Sequence, residues 1–232
     1  MYLGAPLDEF ARQWSAEERA AIRRELSIQP DETVMGTITR LHDSKGNEYL
    51  VDAARIVVDQ RPRAKFFLYG EGPLREPLEQ QAARLGLGDR FVFGGFVKDV
   101  ARVLGAFDVS VFPSLWEGTP LTVFETMAAG KPIVATDADG LLDVLTAGHD
   151  ASIVPKRDAA ALAGSIVRLI DDPAERERLA ANARETSREY DIASFVRKME
   201  QLYDLLHARS RATRRKAIVG ADTSFLERKA RT

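Results

Sequence analysis

Glu117 and Glu125 stand with seven residues between them in WEGTPLTVFETMAAGKPIVAT, on either side of a Thr-Pro pair. Thr119 suits a helix N-cap, Pro120 the first helical position, and Gly130 followed by Pro132 a helix end, so the spacing predicts a helix over Pro120 to Ala129. Glu117 then lies in the loop before the helix and Glu125 on its second turn. One carboxylate is placed to meet a sugar beside the helix start, the other to accept hydrogen bonds from a ribose diol further out. Taken singly, each is also an ordinary surface acid. Arg40 and Lys45 are the only basic residues in the loop Thr39 to Gly46, just before another predicted helix. Free N–H groups and the positive end of that helix suit a diphosphate there. Two plain surface charges remain the simpler reading of that loop taken alone.

These residues need a frame, and the apolar pattern supplies one. Runs rich in Val, Ile and Phe recur at Thr33 to Ile38, Lys65 to Tyr69, Arg90 to Phe93, Val109 to Phe112, Ile133 to Ala135 and Ser152 to Val154. Helical patterns separate them at Glu48 to Gln60, Leu74 to Leu85, Val97 to Ala106, Pro120 to Ala129 and Leu141 to Ala147, and Ala159 to Asp171 follows. Strict alternation over about six strands predicts an α/β fold, a doubly wound parallel sheet of Rossmann-like type. Two further helices, Pro173 to Glu189 and Ile192 to Leu206, complete the pattern. The second carries an apolar face of Phe195, Met199, Leu202, Leu205 and Leu206, which packs on its own domain or on another.

Ligands of such a sheet bind beyond the carboxyl ends of the strands. The predicted exits hold Gly70-Glu71-Gly72-Pro73, Gly94-Gly95, Pro113 to Gly118 and Asp137-Ala138-Asp139-Gly140. Glycines at successive exits fit a backbone that turns sharply or approaches a ligand, although any one of them also suits a plain turn. Neither G-x-G-x-x-G nor a Walker A sequence occurs, which disfavours nicotinamide dinucleotide and P-loop chemistry.

Composition narrows the chemistry further. The 232 residues carry a formal charge of -2, so no field of the whole chain favours nucleic acid. There is no cysteine, and the histidines are three (His42, His149, His207), so neither a thiolate nor a metal centre is expected. No basic, apolar leader or membrane span stands out, which predicts a cytoplasmic chain. The stretch His207 to Thr232 has eight basic residues against Asp222 and Glu227. It reads as a solvated flexible tail, or as a contact with anionic lipid at the inner face of the membrane.

Together the motifs resemble retaining glycosyltransferases of family 4, with the GT-B fold, in their C-terminal nucleotide-sugar-binding domain. The family's paired glutamates are similar to Glu117 and Glu125, its G-x-x-R-L-x-x-x-K-G segment to GTITRLHDSKG, and its G-x-G-P-L turn to GEGPL at Gly70 to Leu74. The resemblance runs from about Tyr2 to Leu206, and YLGAPLDEF resembles the family's interdomain linker. It implies residues 1–10 as a linker remnant, 11–206 as the donor-binding domain and 207–232 as the tail.

The resemblance further implies that Arg40 and Lys45 hold the donor diphosphate, Glu117 faces the sugar and Glu125 binds the ribose. Gly118, Thr119, Pro120 and Leu121 would turn backbone toward donor oxygens, Gly70 and Gly72 would belong to the donor site, and the base would lie near Phe93 to Val97. No metal or other cofactor is implied, because fixed cations would stabilise the leaving diphosphate. The partners implied are a nucleotide-sugar and a glycan or lipid-linked acceptor, held by an acceptor domain that would precede residue 1. The alternative is a nucleotide-sugar-binding module without turnover, or a fragment that needs a separate acceptor domain. Asp139-Gly140 departs from the family's Gly-Gly, and Asp137-Ala138-Asp139 imitates a D-x-D metal motif that the cationic pair makes unnecessary.

Overall fold

Each apolar run becomes a strand, because runs of this length bury both faces of a central sheet. The computed structural model describes residues 4–118 and 121–209. Its strands are β1 (Thr33–Ile38), β2 (Ala64–Tyr69), β3 (Phe91–Gly95), β4 (Val109–Phe112), β5 (Ile133–Thr136) and β6 (Ser152–Val154). All neighbours pair in parallel, in the order β3-β2-β1-β4-β5-β6. The helices are α1 (Ala16–Glu25), α2 (Asn47–Gln60), α3 (Arg75–Arg84), α4 (Val100–Ala106), α5 (Leu121–Ala128), α6 (Asp139–Leu142), α7 (Ala159–Asp171) and α8 (Pro173–Ser187). A last helix, α9, covers 192–209. Among the described residues no helix is long and apolar enough to cross a membrane.

The side-chain alternation of β2 divides the core in two. Phe67 and Tyr69 join Phe107, Phe112 and Phe124 on one face, while Phe66 and Leu68 join Leu50, Val57 and Ile166 on the other. Each large side chain so buried contributes roughly 1.5–3 kcal/mol of transfer free energy. Ala5, Leu7 and Phe10 belong to the first cluster, so the segment ahead of α1 is packed onto the domain.

Three expectations are corrected. The helix α1 is unforeseen, because its sequence AEERAAIRRE is charged and buries Ile22 alone. Its start carries a capping box in which Ser15 and Glu18 satisfy each other's backbone N–H groups. The helix expected over Leu141 to Ala147 is instead the short α6, Asp139–Leu142. Buried Asp150 takes the Thr146 N–H at 2.7 Å and Gly148 adopts φ +71°, so the chain turns where the apolar pattern continues. Finally, α4 starts at Val100 rather than Val97, because Asp99 caps it by accepting from the Arg102 N–H at 2.9 Å.

Candidate functional site

The strand order reverses between β1 and β4, the point where open α/β sheets place their ligand crevice. A cavity of about 230 Å³ opens there, walled by Thr39, Arg40, Lys45, Phe112, Glu117 and Thr122. Three of the predicted charged residues therefore meet at one place. Leu121, the first residue of α5, also lines it.

Two loops carry the charges, and backbone contacts lock one to the other. The N–H groups of Leu115 and Trp116 both donate to the Ser44 carbonyl, at 2.9 and 3.2 Å. Gly46 sits at φ +59°, and a Cβ there would come within 2.2 Å of the Pro113 carbonyl oxygen. Only glycine fits this contact, which brings the short 3₁₀ turn Asp43–Lys45 against the loop of Glu117.

The result is a tight carboxylate clamp. Lys45 Nζ donates to Glu117 Oε2 at 2.6 Å and Ser114 Oγ to Oε1 at 2.7 Å. The Lys45 and Glu117 side chains are only 15% and 9% exposed. Both oxygens of Glu117 are thus engaged inside a partly dehydrated wall. Ser114 is itself buried, and its carbonyl accepts from the Thr136 hydroxyl, which ties the clamp to the end of β5.

Arg40 is presented differently. Its neighbours are pinned to the next loop, Thr39 N–H to the Tyr69 carbonyl at 3.0 Å and Leu41 N–H to the Glu71 carbonyl at 2.9 Å. Gly70, at φ +130°, lets the chains touch, since a Cβ would lie 1.7 Å from the Thr39 oxygen, and Gly72 backs Leu41 in the same way. Gly70 and Gly72 therefore stand behind the Arg40 loop rather than on the cavity wall. The Arg40 side chain is exposed and makes no hydrogen bond or ion pair among the described residues.

The other predicted positions spread around this centre. Phe93 is the middle residue of β3, its ring 5.4 Å from the Arg75 guanidinium, and Val97 follows in the loop beside the exposed Phe96. Gly118 and Glu117 are met by α6: a Cβ on Gly140 would fall 2.6 Å from the Gly118 oxygen and 2.4 Å from that of Glu117. The Asp-Gly at this exit thus keeps the glycine at the close approach and leaves Asp139 exposed. Asp137 accepts from the Lys156 N–H at 2.7 Å, a structural use of its carboxylate. Thr119 and Pro120 lie outside the described residues, as do residues 1–3 and the tail from 210.

Glu125 does not line the cavity. It is half-buried on α5, and burial, with the Glu9 charge adding to it, raises its carboxyl above the usual range. Ser114, Thr39 and Thr122 were missed as site residues, although the first stands three residues before Glu117 in PSLWEG. Among the described residues no cluster of three or more His, Cys, Asp or Glu side chains is arranged to hold a metal.

The sequence profile of the glycosyl transferases group 1 matches residues 18–186. The chain belongs to that family. It is 39% identical over 166 residues, 72% of its length, to the lipopolysaccharide core biosynthesis glycosyltransferase LpsD of Rhizobium meliloti. It is 31% identical over 186 residues, 79% of its length, to an uncharacterised glycosyltransferase of Methanocaldococcus jannaschii. In each case it spans 47% of the relative, so this group 1 chain covers about half the length of the curated proteins it matches. Its fold is similar to that of Anabaena HepE, solved in complex with UDP-glucose, with a TM-score of 0.79 and 25% identity over 87% of this chain and 56% of that one. The doubly wound sheet accordingly has a Rossmann-like fold, like that of its GT-B structural neighbours.

Proposed function

We propose that this group 1 chain is the donor-binding half of a retaining family 4 glycosyltransferase, which moves a sugar from a nucleotide-sugar to a glycan or lipid-linked acceptor. The observation that carries this is the Lys45–Glu117–Ser114 clamp facing the switch-point cavity. The UDP-glucose complex of the similar HepE supports a nucleotide-sugar as the ligand.

In this proposal the exposed Arg40 meets the diphosphate first, with two parallel N–H donors, and Lys45 adds a point charge. Glu117 holds Lys45 in place. Because both its oxygens are already engaged, Glu117 acts as an electrostatic and positioning group, and a double displacement through it is disfavoured. As the glycosidic bond to phosphate lengthens, negative charge grows on the leaving diphosphate, and fixed cations stabilise it without reorganising. Glu125 takes the ribose hydroxyls at the outer end, and the base lies toward Phe93 and Val97. Donor binding needs no metal. Transfer needs a further surface to fix the acceptor, because orientation of both reactants contributes roughly 7–11 kcal/mol to such reactions.

Titration of UDP, GDP and ADP in the presence of a chelator tests this. One nucleotide should bind with micromolar or better affinity, and Arg40→Gln should weaken it at least tenfold. If every nucleotide binds only with added Mg²⁺ or Mn²⁺, the cationic clamp is not the diphosphate site and Asp137 with Asp139 takes its place.

A further inference from the structure

A larger cavity, about 540 Å³, lies at the opposite end of the sheet. It is a groove between α1 and α8, floored by the chain entering β1 and β4. The six residues of β1 separate it from the switch-point cavity by about 20 Å at ~3.3 Å per residue. Arg19, Arg23 and Arg24 reach it from α1 and Arg176 from α8, while Ala16, Ala20, Ile28 and Pro30 supply apolar wall.

Three carboxylates also line the groove, and each is already matched from within the protein. Asp108 holds Arg19, Arg23 at 3.0 Å and the Val34 N–H at 2.7 Å. Glu32 holds Arg90 at 2.8 Å, Lys65 at 3.8 Å and the Gln29 N–H at 2.8 Å, and Asp31 holds Arg63 at 3.0 Å. With these partners included, and Asp89 on Arg90 at 3.7 Å, seven cations (Arg19, Arg23, Arg24, Arg63, Lys65, Arg90 and Arg176) face four anions. Donors are left over as well. Arg24 is exposed with no partner among the described residues, and Arg19 Nε is buried without one. Arg176 uses a single nitrogen, on the Leu169 and Ile170 carbonyls.

A further cation lies nearby, perturbed mainly by its burial. Lys131 donates to the carbonyls of Gly105 and Phe107 at 3.3 and 3.1 Å, beside the same arginines. Burial first, then the charge of Arg19, with Arg184 and Arg23 adding and Asp108 opposing, brings its ammonium down to about 7.

We propose that this groove is a second binding site, for a phosphate-bearing anion held by Arg24 and Arg176. Unengaged guanidinium nitrogens match phosphate oxygens in pairs. The volume exceeds that of a bare phosphate and admits a body of sugar or nucleoside size against the apolar wall. A soluble phosphorylated metabolite and a lipid headgroup present the same chemistry.

Arginine side-chain Nε–H resonances of the full chain, titrated with inorganic pyrophosphate, test the site, with Lys45→Met used to silence the switch-point cavity. The Arg24 and Arg176 signals should shift saturably in both proteins. Arg24→Gln should weaken the effect at least fivefold with the melting temperature unchanged, and Arg24→Lys should restore part of it. No saturable shift, an Arg24→Gln affinity equal to wild type, or the same shifts from sodium chloride at matched ionic strength would each overturn the proposal. Co-sedimentation with vesicles of equal phosphatidylglycerol and phosphatidylcholine, lost in Arg24→Gln, identifies a headgroup as the source. Pyrophosphate binding without vesicle binding identifies a soluble one.

Discussion

Asp108 and Glu117 flank the same strand, one just before β4 and the other just after it, and both are carboxylates gripped by cations in a partly dry setting. They differ in what completes the grip. Asp108 is closed by a backbone donor, the Val34 N–H, together with two arginines of α1. Glu117 is held by side chains alone, those of Lys45 and Ser114, and a cavity lies open beside them. The first arrangement fastens α1 to the sheet. The second keeps a cation under tension between an internal carboxylate and whatever enters. An ion pair that consumes a backbone donor is a lock even where, like that of Asp108, it borders a groove, and one held by side chains alone at a cavity is a site.

Asp108→Asn should have the largest effect on stability. Burial alone would raise the Asp108 carboxyl, yet Arg19, the Val34 N–H and Arg23 overcome this and hold it below its usual range. Removing the charge leaves two guanidiniums uncompensated, and breaking such a pair costs about 3 kcal/mol. Urea unfolding at pH 7 should show that loss. The depressed value means that the wild-type contribution is present above the ordinary Asp range and fades as pH falls through the folded value, so the two proteins should converge in acid. Nucleotide affinity should not change.

Lys45→Met should do the converse. Nucleotide binding should weaken by ~1.5–3 kcal/mol, the usual worth of a charge-assisted hydrogen bond, while unfolding free energy falls by less than in Asp108→Asn. Isothermal titration and urea melts on the same two variants decide the matter. If Lys45→Met unfolds as readily as Asp108→Asn and binds nucleotide as wild type does, the clamp is a second lock.

The lock was invisible in the sequence and the site was half legible, for physical reasons. Strands announce themselves locally, because β2 reads AKFFLY and buries every residue. Helix α1 has a weak apolar stripe, so its capping residues Ser15 and Glu18 were the available signal, and its ionic partner stands 85 or more residues away. Arg40, Lys45, Glu117 and Glu125 stood out through their motifs. The bond between Lys45 and Glu117 spans 72 positions and follows from a contact between two loops that Gly46 permits. No local pattern encodes it. The end of α6 likewise depends on Asp150, a polar residue whose burial the sequence does not reveal.

The same logic covers Lys131, the cation next to the lock. With its folded value at about 7, well below its ordinary 10.5, the unfolded chain binds more protons between these limits. Stability must therefore rise with pH across that window. Lys131→Met should flatten the slope between pH 7 and 10, as followed by melting temperature against pH. An unchanged slope would show that the ammonium is better solvated than its surroundings suggest.

The smallest effect, and the finest division between lock and site, belongs to Glu125. Its raised carboxyl means that ionisation is penalised in the folded chain, by burial first and by Glu9 second. The penalty is absent well below the ordinary Glu range and grows as pH rises through that range toward the raised value. Nothing among the described residues offsets it with a hydrogen bond to that carboxylate. Glu125→Gln should consequently raise stability, by a few tenths to about 1 kcal/mol, while weakening nucleotide binding if the carboxylate serves the ribose. Glu9→Gln should relieve only the repulsion, giving a smaller gain in stability with affinity intact. Melting temperatures of the three proteins with and without saturating nucleotide separate these cases. A residue whose removal strengthens the empty fold and weakens the complex is held there for the ligand; one whose removal does neither is an ordinary helical acid.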